Sequence, residues 1–289
     1  MLRRSAPDAP RGERWGWPGA IKAPPADTGA VSSWPATSGP PLDVGGASDR
    51  GRVRSNNEDS FVVLPVGPSS SEVLLVVADG LGGASGGEVA SRLAVEAIAD
   101  TLAGPRSGGE SPADALRRAF VHADTAVREA ARDDAELEGL GTTLTAALVR
   151  WPHVWMAHVG DSRAYLWRDG RMHRLTRDHT MAERMREEGL VAPQEPVGRL
   201  ESMLWNAIGG STEELQVEQR RERLYAGDGL LLCSDGLTRH LADEELARRA
   251  GRDLAAGDLC DDLVRAANGA GGEDNVTAVF VRVGAQAPS

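Results

Sequence analysis

Lysine is nearly missing from this 289-residue chain: Lys22 is the only one, so arginine carries almost all of the positive charge. A formal net charge of −11 leaves too little positive surface for nucleic acid or an anionic membrane, and neither is expected as a partner. Cysteine is scarce as well. Cys233 and Cys260 lie far apart with no CxxC pair or Cys/His ligand spacing, which argues against a disulfide framework and suits a reducing compartment. No apolar run approaches the ~18 residues that a membrane span needs. Arg3 and Arg4 are followed by no apolar stretch of the kind a secretory signal carries, so a cytoplasmic location is expected.

Residues 1–42 are rich in Pro, Ala, Gly and Ser and show no helical or strand period. Such a segment buries too little surface to offset its ordering entropy, and disorder is expected there. Trp15, Trp17 and Trp34 are unusual in such a segment and leave open a loosely docked tail or a short partner-docking motif. The character changes at Asp43. Val73–Ala78 and Leu230–Ser234 read as buried strands; Thr142–Arg150, His153–Val159, Arg163–Trp167, Arg171–Leu175 and Val276–Val283 also read as strands. Asp169-Gly170 is a hairpin turn between the third and fourth of that group. Helices are expected over 86–103, from Ser111 to about Arg132, over 178–189, and near 243–250 and 255–268. Clustered strands with hairpin connections, and helices arriving in pairs, predict an α+β domain of antiparallel sheets covered by helix pairs. It should span 43–284, with 285–289 a short tail.

The stretch Val73-Leu-Leu-Val-Val-Ala-Asp79-Gly80-Leu-Gly-Gly-Ala-Ser85 looks at first like half of a nucleotide-phosphate cradle. A dinucleotide fingerprint would need Gly where Ser85 stands, and a P-loop would need a lysine that is not there. An acid at the strand tip also opposes phosphate. Other acids recur at strand ends: Glu58-Asp59 before Phe61–Leu64, Asp161 between two strands, Asp235-Gly236 after Leu230–Ser234, and Glu273-Asp274-Asn275 before the last strand. Any one is ordinary turn chemistry. Together they repel one another unless cations intervene, and oxygen donors without His or Cys suit Mg²⁺ or Mn²⁺ rather than Zn²⁺.

Arg54-Ser-Asn-Asn-Glu58-Asp59, Asp79-Gly80-Leu-Gly-Gly, Gly141-Thr-Thr, Gly160-Asp161-Ser-Arg, Ser234-Asp235-Gly236-Leu and Asp274-Asn275 stand in the order and approximate spacing of one family. Over roughly residues 43–284 the chain resembles the metal-dependent Ser/Thr protein phosphatases (type 2C, or PPM), in their bacterial form. The resemblance implies a four-layer α/β/β/α sandwich of two antiparallel sheets flanked by helix pairs. It implies Mn²⁺- or Mg²⁺-dependent hydrolysis of phosphoserine and phosphothreonine in proteins, opposing a bacterial Ser/Thr kinase. Carried over residue by residue, Asp79 would bridge two ions with the Gly80 carbonyl beside it. Asp235 and Asp274 would hold one ion, Glu58 would serve the other through waters, and Asp161 would join a third, weaker site. Arg54 would clamp the phosphate, and Asp59 and Asn275 would support the ligands by hydrogen bonds. Residues 178–199 match the family's flap beside the site.

Two departures accompany the match. Leu81 and Ala84 stand where relatives commonly have a histidine after the bridging acid, and Arg239 stands where some have a further aspartate. His179 and His240 are the histidines nearest the motifs; His122 and His173 read as surface or hairpin residues, and His158 as packed inside a strand. Cys233 and Ser234 read as strand residues with no catalytic part. Two rivals to the enzyme are a regulatory or binding module on the same fold with weak or no catalysis, and a metal-stabilised structural domain. Arg54 beside the acids argues against the second.

Overall fold

The central strand of the molecule is apolar on both sides, and the two sides pack against different partners. A computed structural model describes residues 21–22, 30–34, 39–66, 72–82, 86–104, 109–134, 137, 139–210 and 214–284. Strand β5 (Glu72–Leu81) sends Leu74, Val76 and Ala78 into one core cluster and Val73, Leu75 and Val77 into another. The first cluster lies under two long helices, α1 (Gly86–Ala103) and α2 (Pro112–Asp133), through Ala94, Ile98, Leu116 and Phe120. The second cluster is the seam between sheets, where β5 meets Leu230, Leu232, Val279 and Val281 of β13 (Gly229–Cys233) and β14 (Val276–Val283). The opposite faces of those two strands, with Leu231, Cys233 and Phe280, pack on α5 (Asp243–Ala250) and α6 (Ala256–Gly269). The result is the expected four-layer α/β/β/α sandwich.

The remaining strands are β1 (Ile21–Lys22), β2 (Ala30–Trp34), β3 (Leu42–Asp49), β4 (Asp59–Val66), β6 (Gly141–Thr142), β7 (Leu144–Arg150), β8 (His153–Val159), β9 (Arg163–Arg168), β10 (Arg171–Arg174), β11 (Ile208–Gly209) and β12 (Glu218–Arg223). One sheet runs β1-β4-β5-β7-β8-β12, with β6 and β11 attached beside the end of β5; the other runs β10-β9-β13-β14-β3-β2. All pairings are antiparallel. Because β4 begins where β5 ends and β14 begins where β13 ends, the chain brings Asp59, Asp79, Asp235 and Asp274 to one end of the sandwich.

Sequence signals for the helices hold. Ser111 caps α2 by accepting from the Asp114 backbone N–H, with Pro112 in the first turn. Asp169 and Gly170 both adopt positive φ, as the tight hairpin between β9 and β10 demands. Some elements go beyond the sequence pattern. In the segment 1–42, expected to be disordered, the described residues 21–22 and 30–34 form β1 and β2, which pair with β4 and β3. A strand added at a sheet edge gains order from its neighbour's main chain and needs no period of its own. Trp15 and Trp17 lie outside the described residues. Strands β3 and β12 also escape the sequence pattern. The first carries Gly45, where a Cβ would sit 2.3 Å from the Gly257 backbone N of α6, so close helix packing replaces side chains there. The second reads Glu-Gln-Arg-Arg-Glu-Arg and is a charged edge strand. In the flap, Thr180 caps a helix α3 (Met181–Glu187), shorter than the expected 178–189, and a 3-10 turn occupies Gly198–Glu201. Residues 285–289 lie outside the described residues.

Candidate metal centre

The acidic end is built by strand termini held from behind by hydroxyls. Asp59 opens β4 and pairs in register with Asp79 near the end of β5. Asp59 Oδ2 accepts from Ser234 Oγ and Thr277 Oγ1, both at 2.7 Å, which leaves its buried Oδ1 without a partner. Around Asp79 the Gly141-Thr142-Thr143 segment closes a backbone clasp: Thr143 N donates to Asp79 O at 2.9 Å, and Asp79 N donates to Thr143 Oγ1 at 2.9 Å. Thr143 Oγ1 also meets Ser162 Oγ at 2.7 Å, which ties Asp79 to the Gly160-Asp161-Ser162 turn after β8. Gly80 is required by close approach, since a Cβ there would lie 2.1 Å from Gly87 O and 2.7 Å from Glu58 O.

Electrostatics show how tightly these groups converge. Burial first, and then the charges of Asp59, Asp235, Asp161 and Asp274, push the Asp79 carboxyl well above its ordinary value. Burial, and then Asp235, push Asp161 up to about 8, with Arg239 opposing. Asp59 is pushed up to about 7, chiefly by burial, against the two hydroxyls that hold it. Asp235 is also raised by burial, opposed mainly by Arg239. Each shift marks an anion held where anions are unfavourable, unless a cation joins it.

Arg54 and Arg239 pair directly with these acids, and the charge of Arg163 also acts on Asp235. Arg54 Nη2 lies 2.9 Å from Asp274, and its side chain is 48% exposed, so it faces both the acids and solvent. Arg239, at the end of α4 (Asp235–Thr238), pairs with Asp235 Oδ2 at 2.5 Å and with Asp274 Oδ2 at 3.4 Å. Asn275 Oδ1 accepts from Glu58 N at 2.8 Å, and its Nδ2 donates to the Arg50 and Asn56 carbonyls, fastening the Arg54 loop to the Asp274 loop. The Glu58 carboxylate lies against Gly87 at the start of α1, with Asn56 Nδ2 3.3 Å from its Oε1.

Among the described residues, no three His, Cys, Asp or Glu side chains enclose an ion as they stand. Asp235 and Asp274 are turned toward arginine instead. The donor set nevertheless suits a hard divalent cation. It is all oxygen, it is strongly anionic, and Asp59 Oδ1 and Asp235 Oδ1 are buried with no hydrogen-bond partner.

The histidines sit elsewhere. His158 is buried in β8, and His179 is buried beneath the flap, where its Nδ1 accepts from Gly160 N at 3.1 Å. His240 Nε2 accepts from Glu273 N, a contact with the loop that carries Asp274. His122 lies beside Thr101, and His173 is exposed on the β9–β10 hairpin. Leu81 ends β5; Ala84 lies outside the described residues. Ser234, expected as a plain strand residue, instead follows β13, donating to Asp59 and accepting from Thr277 N. Ser234, Thr277 and Thr143 escape a reading of the sequence because small hydroxyls carry no signal until their partners are known. Between the acids and the flap lies a cavity of about 400 Å³, with Asp161, Asp235 and Arg239 on one side and Thr180, Glu183 and Arg186 of the flap on the other.

An acid-lined, oxygen-only centre with a half-exposed arginine at its rim has the makings of a divalent-metal site for a phosphate ester. The chain belongs to the protein phosphatase 2C family, whose sequence model matches residues 48–274. It is 38% identical over 237 residues to the serine/threonine protein phosphatase PstP of Mycobacterium tuberculosis, covering 82% of this chain. The alignment spans 44% of that mycobacterial protein, less than half its length. With the serine/threonine phosphatase stp of Listeria monocytogenes it shares 30% identity over 236 residues, covering 81% of this chain and 93% of that one. The crystal structure of the PstP catalytic domain in complex with two manganese ions superposes with a TM-score of 0.72 at 33% identity, covering 84% of this chain and 99% of that one.

Proposed function

We propose that this chain hydrolyses phosphoserine and phosphothreonine in proteins with the help of two Mn²⁺ or Mg²⁺ ions. It would act in the cytoplasm, against the products of a Ser/Thr kinase. The carrying observation is the set of five converging aspartates, Asp59, Asp79, Asp161, Asp235 and Asp274, with unpartnered oxygens beside Arg54. The manganese-bound relative supports the same reading. Asp79, the Gly80 carbonyl, Asp235 and Asp274 would hold the ions, with Glu58 serving through water and Asp161 at a third, weaker position. When bound, such ions supply Lewis acidity, which lowers the pKa of a water and offsets charge on the phosphoryl oxygens.

The chain's own residues orient and select. Arg54 reaches over Asp274 from solvent, placing a guanidinium where it can take two phosphate oxygens at once. Ser234, Thr277 and Thr143 hold Asp59 and Asp79 from behind, so that the carboxylates keep their places as charge shifts at the phosphate. Asn275 binds the Arg54 loop to the loop of Asp274, coupling the phosphate clamp to the acids. The cavity of about 400 Å³ under the flap would receive the phosphorylated side chain along the Asp161 and Asp235 wall.

Turnover of para-nitrophenyl phosphate and of a phosphothreonine peptide should appear with Mn²⁺ and vanish with EDTA. Asp79→Asn should lower it by about a thousandfold, or ~4 kcal/mol. Equal turnover by wild type and variant would overturn the metal mechanism. The binding-module reading rests on Arg239 clasping two of the acids, and folded wild type with no turnover in millimolar Mn²⁺ would favour it.

A further inference from the structure

Two kinds of cation have a claim on the same carboxylates. The Arg239 side chain rises one helical turn after Asp235, on the same face, and its guanidinium spans Asp235 and Asp274, at 2.5 Å and 3.4 Å. Its charge also acts on Asp161 and Asp79, so one guanidinium sits within the field of four of the five converging aspartates. Asp235 is divided between two directions: Oδ2 is taken by Arg239, while Oδ1 is buried with no partner. Almost half of the Arg239 side chain, 47%, is exposed, so it can withdraw to solvent without breaking the core.

We propose that Arg239 is a built-in competitor for the divalent ions, a resident positive charge that sets how tightly Asp235 and Asp274 hold metal. This rests on the metal-dependent phosphatase reading and adds to it a residue that tunes affinity. Repulsion between a divalent ion and a guanidinium a few ångströms apart remains substantial at the effective dielectric of a protein surface. Arg239 also steadies Asp235, but one charge-assisted contact from a half-exposed side chain contributes less than that repulsion removes. The expected sign is therefore weaker binding with Arg239 present. Metal occupancy would then respond to changes in the cation supply instead of staying saturated.

The test is a Mn²⁺ titration of the full chain, reading free Mn²⁺ by electron paramagnetic resonance. Arg239→Ala should lower the Kd for Mn²⁺ about tenfold against wild type, a difference of about 1.4 kcal/mol. Arg239→Gln keeps hydrogen-bond donors while losing the charge and should tighten binding similarly. It also provides the measurement if the alanine variant does not fold. Arg239→Lys should stay within about threefold of wild type. Melting in EDTA gives a second readout, with Arg239→Ala less stable there than wild type and gaining more on Mn²⁺ addition. An unchanged or raised Kd in both neutral variants overturns the proposal. A wild-type chain that binds no Mn²⁺ overturns this proposal and the metal reading together.

Discussion

Two of the groups of buried ionisable side chains among the described residues are treated in opposite ways. At the acidic end, Asp59, Asp79, Asp161 and Asp235 repel one another, and Asp59 and Asp235 keep buried oxygens unpartnered. Beside the base of the flap, His158 and His179 lie with ring centroids 4.9 Å apart, and each makes its hydrogen bonds within the fold. His158 Nε2 donates to Arg177 O at 2.9 Å, so its Nδ1 is the acceptor for Thr145 Oγ1 at 2.8 Å. His179 Nδ1 accepts from Gly160 N and Asn206 Nδ2, which directs Nε2–H toward Glu218 Oε2 at 3.6 Å. Burial holds the His158 ring neutral, and both of its nitrogens are hydrogen-bonded, as structural polar groups are expected to be. The carboxyls are pushed toward their protonated form and left short of partners, which a fold tolerates where an added cation completes the site.

The sharpest way to break this contrast is to vary pH in EDTA. Burial and repulsion raise Asp59 to about 7 and Asp161 to about 8, above ordinary carboxylate values. The folded state therefore holds protons that the unfolded chain has released. The stability from these groups is present below about pH 4 and is lost as pH rises through 7 to 8. The loss is on the order of 4 kcal/mol per group. Urea unfolding from pH 5.5 to 8.5 should show it, and Asp161→Asn should flatten the slope; an equally steep slope in the variant would count against the cluster.

The imidazole side should run the other way. Burial, and then the charge of His179, lower His158 to about 4, so the folded state refuses a proton that the unfolded chain accepts near 6.5. That stability is present above about pH 6.5 and is lost as pH falls toward 4, about 3 kcal/mol in all. A nuclear magnetic resonance titration should find the His158 ring unchanged from pH 7.5 to 5.5. A ring that titrates near 6.5 would end the distinction between the two groups.

Smaller effects test the parts individually. Arg54→Ala should raise KM for a phosphothreonine peptide by roughly 30-fold, about 2 kcal/mol, and leave the melting temperature within a degree or two. Ser234→Ala should lower stability by about 1 kcal/mol in urea, because Thr277 still donates to Asp59 Oδ2 while Thr277 N loses its acceptor. Unchanged kinetics in the first case would show that Arg54 is no phosphate clamp. Unchanged stability in the second would show that Ser234 does not brace Asp59.

Much of this contrast is open to a reader of the chain alone. Asp79, Asp161, Asp235 and Asp274 announce themselves because each adjoins an apolar run that can only be a strand, and strand ends in an antiparallel sandwich share few locations. Helices α1, α2, α5 and α6 are legible from period, and α2 also from its Ser111 cap, since those are local properties. Strands β2, β3 and β12 are not. Edge pairing, a Gly-Gly approach by α6 and an all-polar strand leave no alternating signature.

The sequence by itself determined that antiparallel sheets are covered by helix pairs and that acids fall at strand ends, because hydrophobic period and strand length follow from neighbours along the chain; the four-layer order came with the family resemblance. Only the tertiary structure decided what those residues meet. Ser234 and Thr277 reach Asp59 across 175 and 218 positions. Arg239 is near Asp235 in sequence, yet whether it faced solvent or the acids depended on where β14 placed Asp274. Charge acts through space, and the distances that set it exist only after the chain has folded.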